Sequence, residues 1–142
     1  LRKQHVGKKL LLAEDNEINR EVALELLHGV GLVVDVATDG AEAVEMVRKN
    51  RYALVLMDVQ MPNMDGLEAT RRLRASERGR RLHVVAMTAN AMQGDRERCI
   101  DAGMDDYVPK PFSSAELVAR IQKMIAASQF KREMPPFPKI TR

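Results

Sequence analysis

"LVLMDVQMPNMDG", residues 54–66, is the stretch whose reading decides the fold. Four apolar residues run straight into Asp58, and a second aspartate, Asp65, precedes Gly66, with Pro62 between the two. An apolar run bounded by turn residues reads as a strand covered on both faces. Such a strand delivers its terminal carboxylate to the edge of a sheet. Pro62 and "NMDG" then turn the chain into a helix. Asp65 is followed by Glu68 at the spacing of a capping box in its Asp variant, so Asp65 reads as a helix cap and not as a reactive group.

The pattern repeats on both sides. Apolar runs occur at "KLLLAED" (9–15), "VVDVAT" (33–38), "YALVLMD" (52–58), "HVVAMTA" (83–89) and "DYVPK" (106–110). Helical signals lie between and after them. Asp39/Glu42, Asn90/Gln93 and Ser113/Glu116 share the cap spacing of Asp65/Glu68. Ile18/Val22/Leu26, Ala43/Val44/Val47 and Leu117/Ile121/Ile125 recur at helical intervals. Gly31 and Gly103 read as helix stops. Strand and helix alternating five times imply a parallel sheet wrapped by helices, with right-handed crossovers. A chain of 142 residues is too short for a closed barrel of about 250, so the expected fold is a doubly wound α/β sheet.

Composition narrows the function classes. Hydrophobic residues at 45% and charged residues at 30% fit one globular domain, and aromatics at 4% leave the core to aliphatic side chains. No apolar stretch approaches the roughly 20 residues of a membrane span. "LRKQHVGKK" has no apolar segment behind its charges and does not read as a signal peptide. Cys99 is the only cysteine, which excludes disulfides within the chain and fits a reducing compartment. The net charge of +3 conceals an uneven distribution: residues 1–9 carry +4 and residues 128–142 carry +3, leaving −4 for residues 10–127. The body is acidic, so the basic pI does not point to nucleic acid. Residues 1–8 read as a basic linker, 9–127 as the domain, and 128–142, with "REMPPFPKITR", as a Pro-containing basic tail with little regular structure. The linker-like start also reads as part of a longer protein.

In doubly wound sheets, sites form outside the carboxyl ends of the strands. Those ends carry Glu14 and Asp15, Asp58, Thr88 and Lys110. Each alone has an ordinary explanation: Glu14 as a helix cap, Thr88 as a strand residue, Lys110 as a solvated lysine. Together they bring three carboxylates, a hydroxyl and an ammonium to one edge. Clustered carboxylates repel unless a cation sits among them, and a hard oxygen-ligated ion, Mg²⁺ above all, fits. No Gly-rich phosphate loop is present. His5, His28 and His83 lack metal-pair spacing, there is no nucleophile elbow, and Cys99 falls in a helical stretch where packing is its expected role. Carboxylate, metal, hydroxyl and lysine suit phosphoryl transfer to an aspartate.

"AEDNEINR", "LVLMDVQMPNMDG", "MTAN" and "YVPKPF", in that order, make residues 9–127 resemble the receiver domain of two-component response regulators. "EDNEINREV" and "MDVQMPNMDGLEATRRLR" are most similar to receivers of hybrid sensor histidine kinases and phosphorelays. The implied fold is flavodoxin-like: five parallel strands in order 2-1-3-4-5 with five helices. By resemblance Asp58 is the phospho-acceptor. Glu14, Asp15, Asp58 and the Gln60 backbone carbonyl bind Mg²⁺. Thr88 is the switch hydroxyl, Lys110 the site lysine and Tyr107 the switch aromatic, and Lys110–Pro111 is a cis peptide. The resemblance further implies a histidine kinase core or a histidine phosphotransfer domain as partner, with no direct nucleic-acid contact and no membrane insertion by this segment. It places the domain in the cytoplasm, including as the cytoplasmic part of a membrane-anchored hybrid kinase. The chain is then no stand-alone kinase, but promotes its own phosphorylation and a slow dephosphorylation. Two alternatives stand beside it. A Mg²⁺-dependent phosphohydrolase working through an aspartyl phosphate is disfavoured because Gln60, not an acid, lies two residues after Asp58. A non-phosphorylated docking module is disfavoured because the acidic set and Lys110 are complete.

Overall fold

A computed structural model of the chain describes residues 9–29, 31–76, 79–88, 94, 96–109, 119–124 and 126. Five strands, β1 (Lys9–Ala13), β2 (Val33–Ala37), β3 (Leu54–Asp58), β4 (Val84–Thr88) and β5 (Asp106–Pro109), form one parallel sheet in the order β2-β1-β3-β4-β5. The helices are α1 (Glu17–His28), α2 (Gly40–Lys49), α3 (Gly66–Ala75) and α4 (Arg96–Ala102), and residues 119–124 are also helical. The doubly wound sheet and its strand order are those expected from the sequence.

The continuous apolar character of β3 and β4 has the anticipated cause, since every residue of both strands is buried. Alternate side chains feed two cores. One holds Leu11, Val55, Met57, Val84 and Ala86 beneath Val44 and Val47 of α2, Leu67 and Leu73 of α3 and Cys99 of α4. The other holds Leu10, Leu12, Leu54, Leu56 and Met87 against Ala23 and Leu27 of α1 and Ile121 and Met124. Three helices therefore cover one face, and α1 with the last helical residues covers the other. Full burial of each large aliphatic chain is worth about 1.5–3 kcal/mol.

Local signals explain the element ends. Asp39 and Asp65 cap α2 and α3, accepting the Glu42 and Glu68 N–H groups at 2.8 and 2.9 Å. Gly31 and Gly103 do stop helices: both hold positive φ, and the following residues, Leu32 and Met104, donate back to the Leu27 and Cys99 carbonyls. One stripe lies differently from its simplest reading. Ile18, Val22 and Leu26 are helical, but Ile18 is 71% and Val22 44% exposed, and α1 buries Ala23 and Leu27 instead. Alanine is small enough to bring the helix close to the sheet, so its face wins. The expected caps Asn90/Gln93 and Ser113/Glu116, the helical residues Leu117 and Ile125, and the two terminal segments lie outside the described residues. Among the described residues no helix is long and apolar enough to cross a membrane.

At the amino ends of β4 and β5, opposite the carboxylate edge, Arg74 joins three segments. Its guanidinium donates to the carbonyls of Gly79, Leu82 and Gly103 and to Asp105 Oδ2 at 2.6–2.9 Å. Asp105 Oδ2 also accepts the Val84 N–H, so the start of β4 depends on the same cluster.

Candidate functional site

The carboxyl end of β1 supplies Glu14 and Asp15. Glu14 N–H donates to the Ala37 carbonyl at 3.0 Å, which ties the turn to β2. Asn16 then caps α1, accepting the Asn19 N–H at 2.9 Å, while its own N–H donates to Glu14 Oε2 at 3.2 Å. Arg20, one turn into α1, donates through Nη1 to the Glu14 and Asp15 carbonyls at 3.2 and 3.0 Å. The acidic pair is thus fixed from both sides, and the Glu14 carboxylate meets the positive end of a helix. Asn16 and Arg20 were not singled out in the sequence. Asn16 with Asn19 carries a cap spacing that was readable there, but nothing in the pattern marks Arg20.

Asp58 is the last residue of β3, the central strand, and is buried. Its ladder partner on β4 is Met87, one residue short of Thr88. Gln60 follows on the exposed loop, its N–H donating to Asp58 Oδ1 at 3.4 Å. Oxygen atoms of Glu14, Asp15 and Asp58 all lie within 4.8 Å of one another. Glu14 is only 1% and Asp58 only 6% exposed. Two buried carboxylates and a third beside them, so close together, form an all-oxygen donor set that suits a hard divalent cation.

Thr88 ends β4 and is buried. Tyr107 lies in β5 opposite Ala86, which puts its side chain on the face shared by Ala86 and Thr88. The ring is half-buried against the core, with the Arg96 and Arg120 guanidinium carbons 5.3 and 5.9 Å from its centroid. Arg120 also donates to the Tyr107 carbonyl at 3.0 Å. Lys110 and the Lys110–Pro111 peptide lie outside the described residues. The structure therefore brings Glu14, Asp15, Asp58, Gln60 and Thr88 to one edge of the sheet, with Tyr107 on the neighbouring strand.

Beside this edge, Asp39 accepts the Glu42 N–H and the Asn63 side-chain amide. These two bonds, the first the stronger, hold its carboxyl below the ordinary value of 3.8. Far from the site, burial and the Asp35 carboxylate raise the Tyr52 phenol well above its ordinary value of 10.0. Tyr52 OH donates to Asp35 at 2.8 Å and anchors the edge strand β2.

A family model of the response regulator receiver domain matches residues 10–122. The chain belongs to that family. The receiver domain is similar to that of a sensor histidine kinase from Pseudomonas aeruginosa PAO1, at 46% identity and a TM-score of 0.81, over 85% of this chain and 99% of that one. That relative was solved with a magnesium ion coordinated in its active site cleft. Among curated relatives, hybrid signal transduction histidine kinase B of Dictyostelium discoideum is 39% identical over 127 residues, covering 82% of this chain and 6% of the relative. Two-component system protein A of Emericella nidulans is 45% identical over 119 residues, covering 82% of this chain and 17% of the relative. The chain spans less than a fifth of the length of these two curated relatives. A chemotaxis protein of Vibrio cholerae, at 24% identity and a TM-score of 0.79, shares the fold. Membership makes this a receiver domain of two-component signalling.

Proposed function

We propose that this receiver accepts a phosphoryl group from a phosphohistidine onto Asp58, in a Mg²⁺-dependent reaction, and changes conformation in response. The observation that carries the reading is the convergence of Glu14, Asp15 and Asp58, with oxygens within 4.8 Å, beside the buried Thr88. Asp58 is the fitting nucleophile because β3 is central: the acidic pair of β1 lies on one side and the hydroxyl of β4 on the other. Glu14 and Asp15, with the Gln60 carbonyl, would hold Mg²⁺ together with Asp58. Bound there, Mg²⁺ offsets charge on the phosphoryl oxygens.

An Asp58 carboxylate oxygen attacks phosphorus, the P–N bond of the donor breaks, and the bond pair leaves with the imidazole, which takes up a proton. Thr88 donates its hydroxyl proton to a phosphoryl oxygen in a charge-assisted hydrogen bond. Lys110, by resemblance, neutralises another. The product is a carboxylic–phosphoric anhydride on Asp58. Movement of Thr88 toward it vacates space on the face shared with Tyr107, whose ring can then turn inward. Gln60 offers no acid or base to activate water, which fits a phosphorylated form that decays slowly. The donor is a histidine kinase core or a histidine phosphotransfer domain, and the setting is cytoplasmic.

Incubation with a small phosphodonor and Mg²⁺, followed by intact mass, tests the reading. The expected result is one phosphoryl adduct, mapped to Asp58 and released by hydroxylamine. Rapid phosphate release without adduct would favour a hydrolase, and no reaction at all would favour a docking module.

A further inference from the structure

The loop after Asp58 leans on a helix that the phosphoryl chemistry does not otherwise use. Its start is pinned to the sheet and its end to its start: Val59 N–H donates to the Met87 carbonyl at 3.2 Å, and Gly66 N–H donates to the Val59 carbonyl at 3.0 Å. Its outer part meets the start of α2. Gly40 N–H donates to the Met64 carbonyl at 2.9 Å. A Cβ on Gly40 would overlap that same oxygen and lie 2.9 Å from the Asp65 carbonyl oxygen, so this approach needs a residue without a side chain. Asn63 holds φ +66°, a left-handed conformation that asparagine tolerates. Its Nδ2 donates to Asp39 Oδ2 at 2.9 Å. Asp39 Oδ1 meanwhile accepts the Glu42 N–H, so one carboxylate caps α2 and braces the loop.

We infer that Asp39, Gly40 and Asn63 are positioning residues for the metal site: through the loop backbone they set where the Gln60 carbonyl stands relative to Glu14, Asp15 and Asp58. The inference rests on the proposed Mg²⁺ site. Mg²⁺ demands near-octahedral geometry at about 2.0–2.1 Å, so a carbonyl ligand on an unbraced loop loses freedom on binding and binds less well. Met61 and Met64 hold the loop from the core side. The α2 contacts constrain it from the outer side. If Asp39 and Asn63 serve only to cap α2 and stabilise the fold, removing the Asn63 amide leaves the metal affinity of the folded protein unchanged.

Two charge-neutral variants separate the possibilities. Asn63→Gly keeps access to positive φ and removes only the amide. Asp39→Asn combined with Asn63→Asp reverses the bond: the amide introduced at position 39 donates to the carboxylate introduced at position 63, and the amide oxygen still caps α2. Mg²⁺ affinity is measured by calorimetry well below the thermal midpoint, where it does not depend on global stability. Asn63→Gly is expected to weaken binding about five- to tenfold, at or below the low end of outer-shell contributions because Asn63 is exposed. It should also speed exchange of the Gly40 amide. The reversed pair is expected to bind within about twofold of the unaltered chain. Unchanged affinity in Asn63→Gly, or a reversed pair as weak as Asn63→Gly, would overturn the inference while leaving the Mg²⁺ site intact. Failure of the unaltered chain to bind Mg²⁺ would overturn both.

Discussion

Gly66→Ala tests how closely β3 and the next helix are fitted. Gly66 is the first residue of α3, and its Cα faces the end of β3. A methyl group there would overlap the Asp58 carbonyl oxygen and stand 3.0 Å from the Asp58 carbonyl carbon and 2.9 Å from Met57 Cγ. Ordinary contact begins near 3.4 Å, so the Met57 and Asp58 carbon contacts alone require several tenths of an ångström. The oxygen overlap requires more, and the backbone has no rotamer through which to yield. The Gly66 N–H bond to the Val59 carbonyl, at 3.0 Å, lies in the path of that shift. Overpacking costs about 1–3 kcal/mol, and loss of a buried backbone hydrogen bond adds about 1 kcal/mol, for an expected loss of about 2–4 kcal/mol. The better helix propensity of alanine offsets at most about 1 kcal/mol of this. Asp58 is part of what must move, and misplacement of a reacting group by about 1 Å can cost on the order of a hundredfold in rate. Urea unfolding followed by circular dichroism measures the first effect, and phosphorylation by a small phosphodonor under folded conditions measures the second. A variant as stable as the unaltered chain and phosphorylated at the same rate would refute the close-approach argument.

Asp58→Asn should remain folded and take no adduct; a phosphorylated peptide mapped to another residue would overturn the assignment of the nucleophile. Arg74→Ala should lose about 3–4 kcal/mol, because one partly buried guanidinium serves three carbonyls and a carboxylate. Arg74→Lys should recover less than half of that on chemical denaturation, since an ammonium lacks the planar fork. Thr88→Ala should still accept phosphate but lose most of its response to beryllofluoride; amide shifts around Tyr107 equal to those of the unaltered chain would remove Thr88 from the coupling. The carboxyl of Asp39 is held below 3.8, so its contribution to stability is full above that value and is lost as pH falls through the lowered one. Acid titration of stability should therefore show a smaller loss in that range for Asp39→Asn than for the unaltered chain.

Much of this architecture is legible in residues that act locally. The apolar run ending at Asp58 announces a strand buried on both faces, and Asp39 and Asp65 announce helix starts three residues before Glu42 and Glu68. Asp58 and Thr88 could be placed at strand ends because an apolar run stops where its cover stops. Arg74 was not legible: its acceptors come from segments brought together only by folding, and an arginine in a basic helix looks like any solvated one. The bond from Asn63 to Asp39 crosses between loops for the same reason. On α1 the apolar stripe was visible but its direction was not, because periodicity ranks Ile18 and Val22 above Ala23, while close packing favours the smaller side chain.

The parallel ladder also bears on folding kinetics. Among the described residues no strand pair closes as a hairpin; Leu10 pairs with Val34 and Leu54, Val55 with Val84, and Val85 with Asp106. Of these, the β1–β3 pairing joins the most distant segments, so it carries the largest loop-closure entropy and is a slow-forming contact. That same pairing brings Glu14 and Asp15 to Asp58. A chain with β3 and β4 already docked but β1 still loose has Asp58 in place and lacks the acidic pair. On the proposed mechanism such a molecule would take no phosphoryl group, so formation of the adduct would report on complete folding.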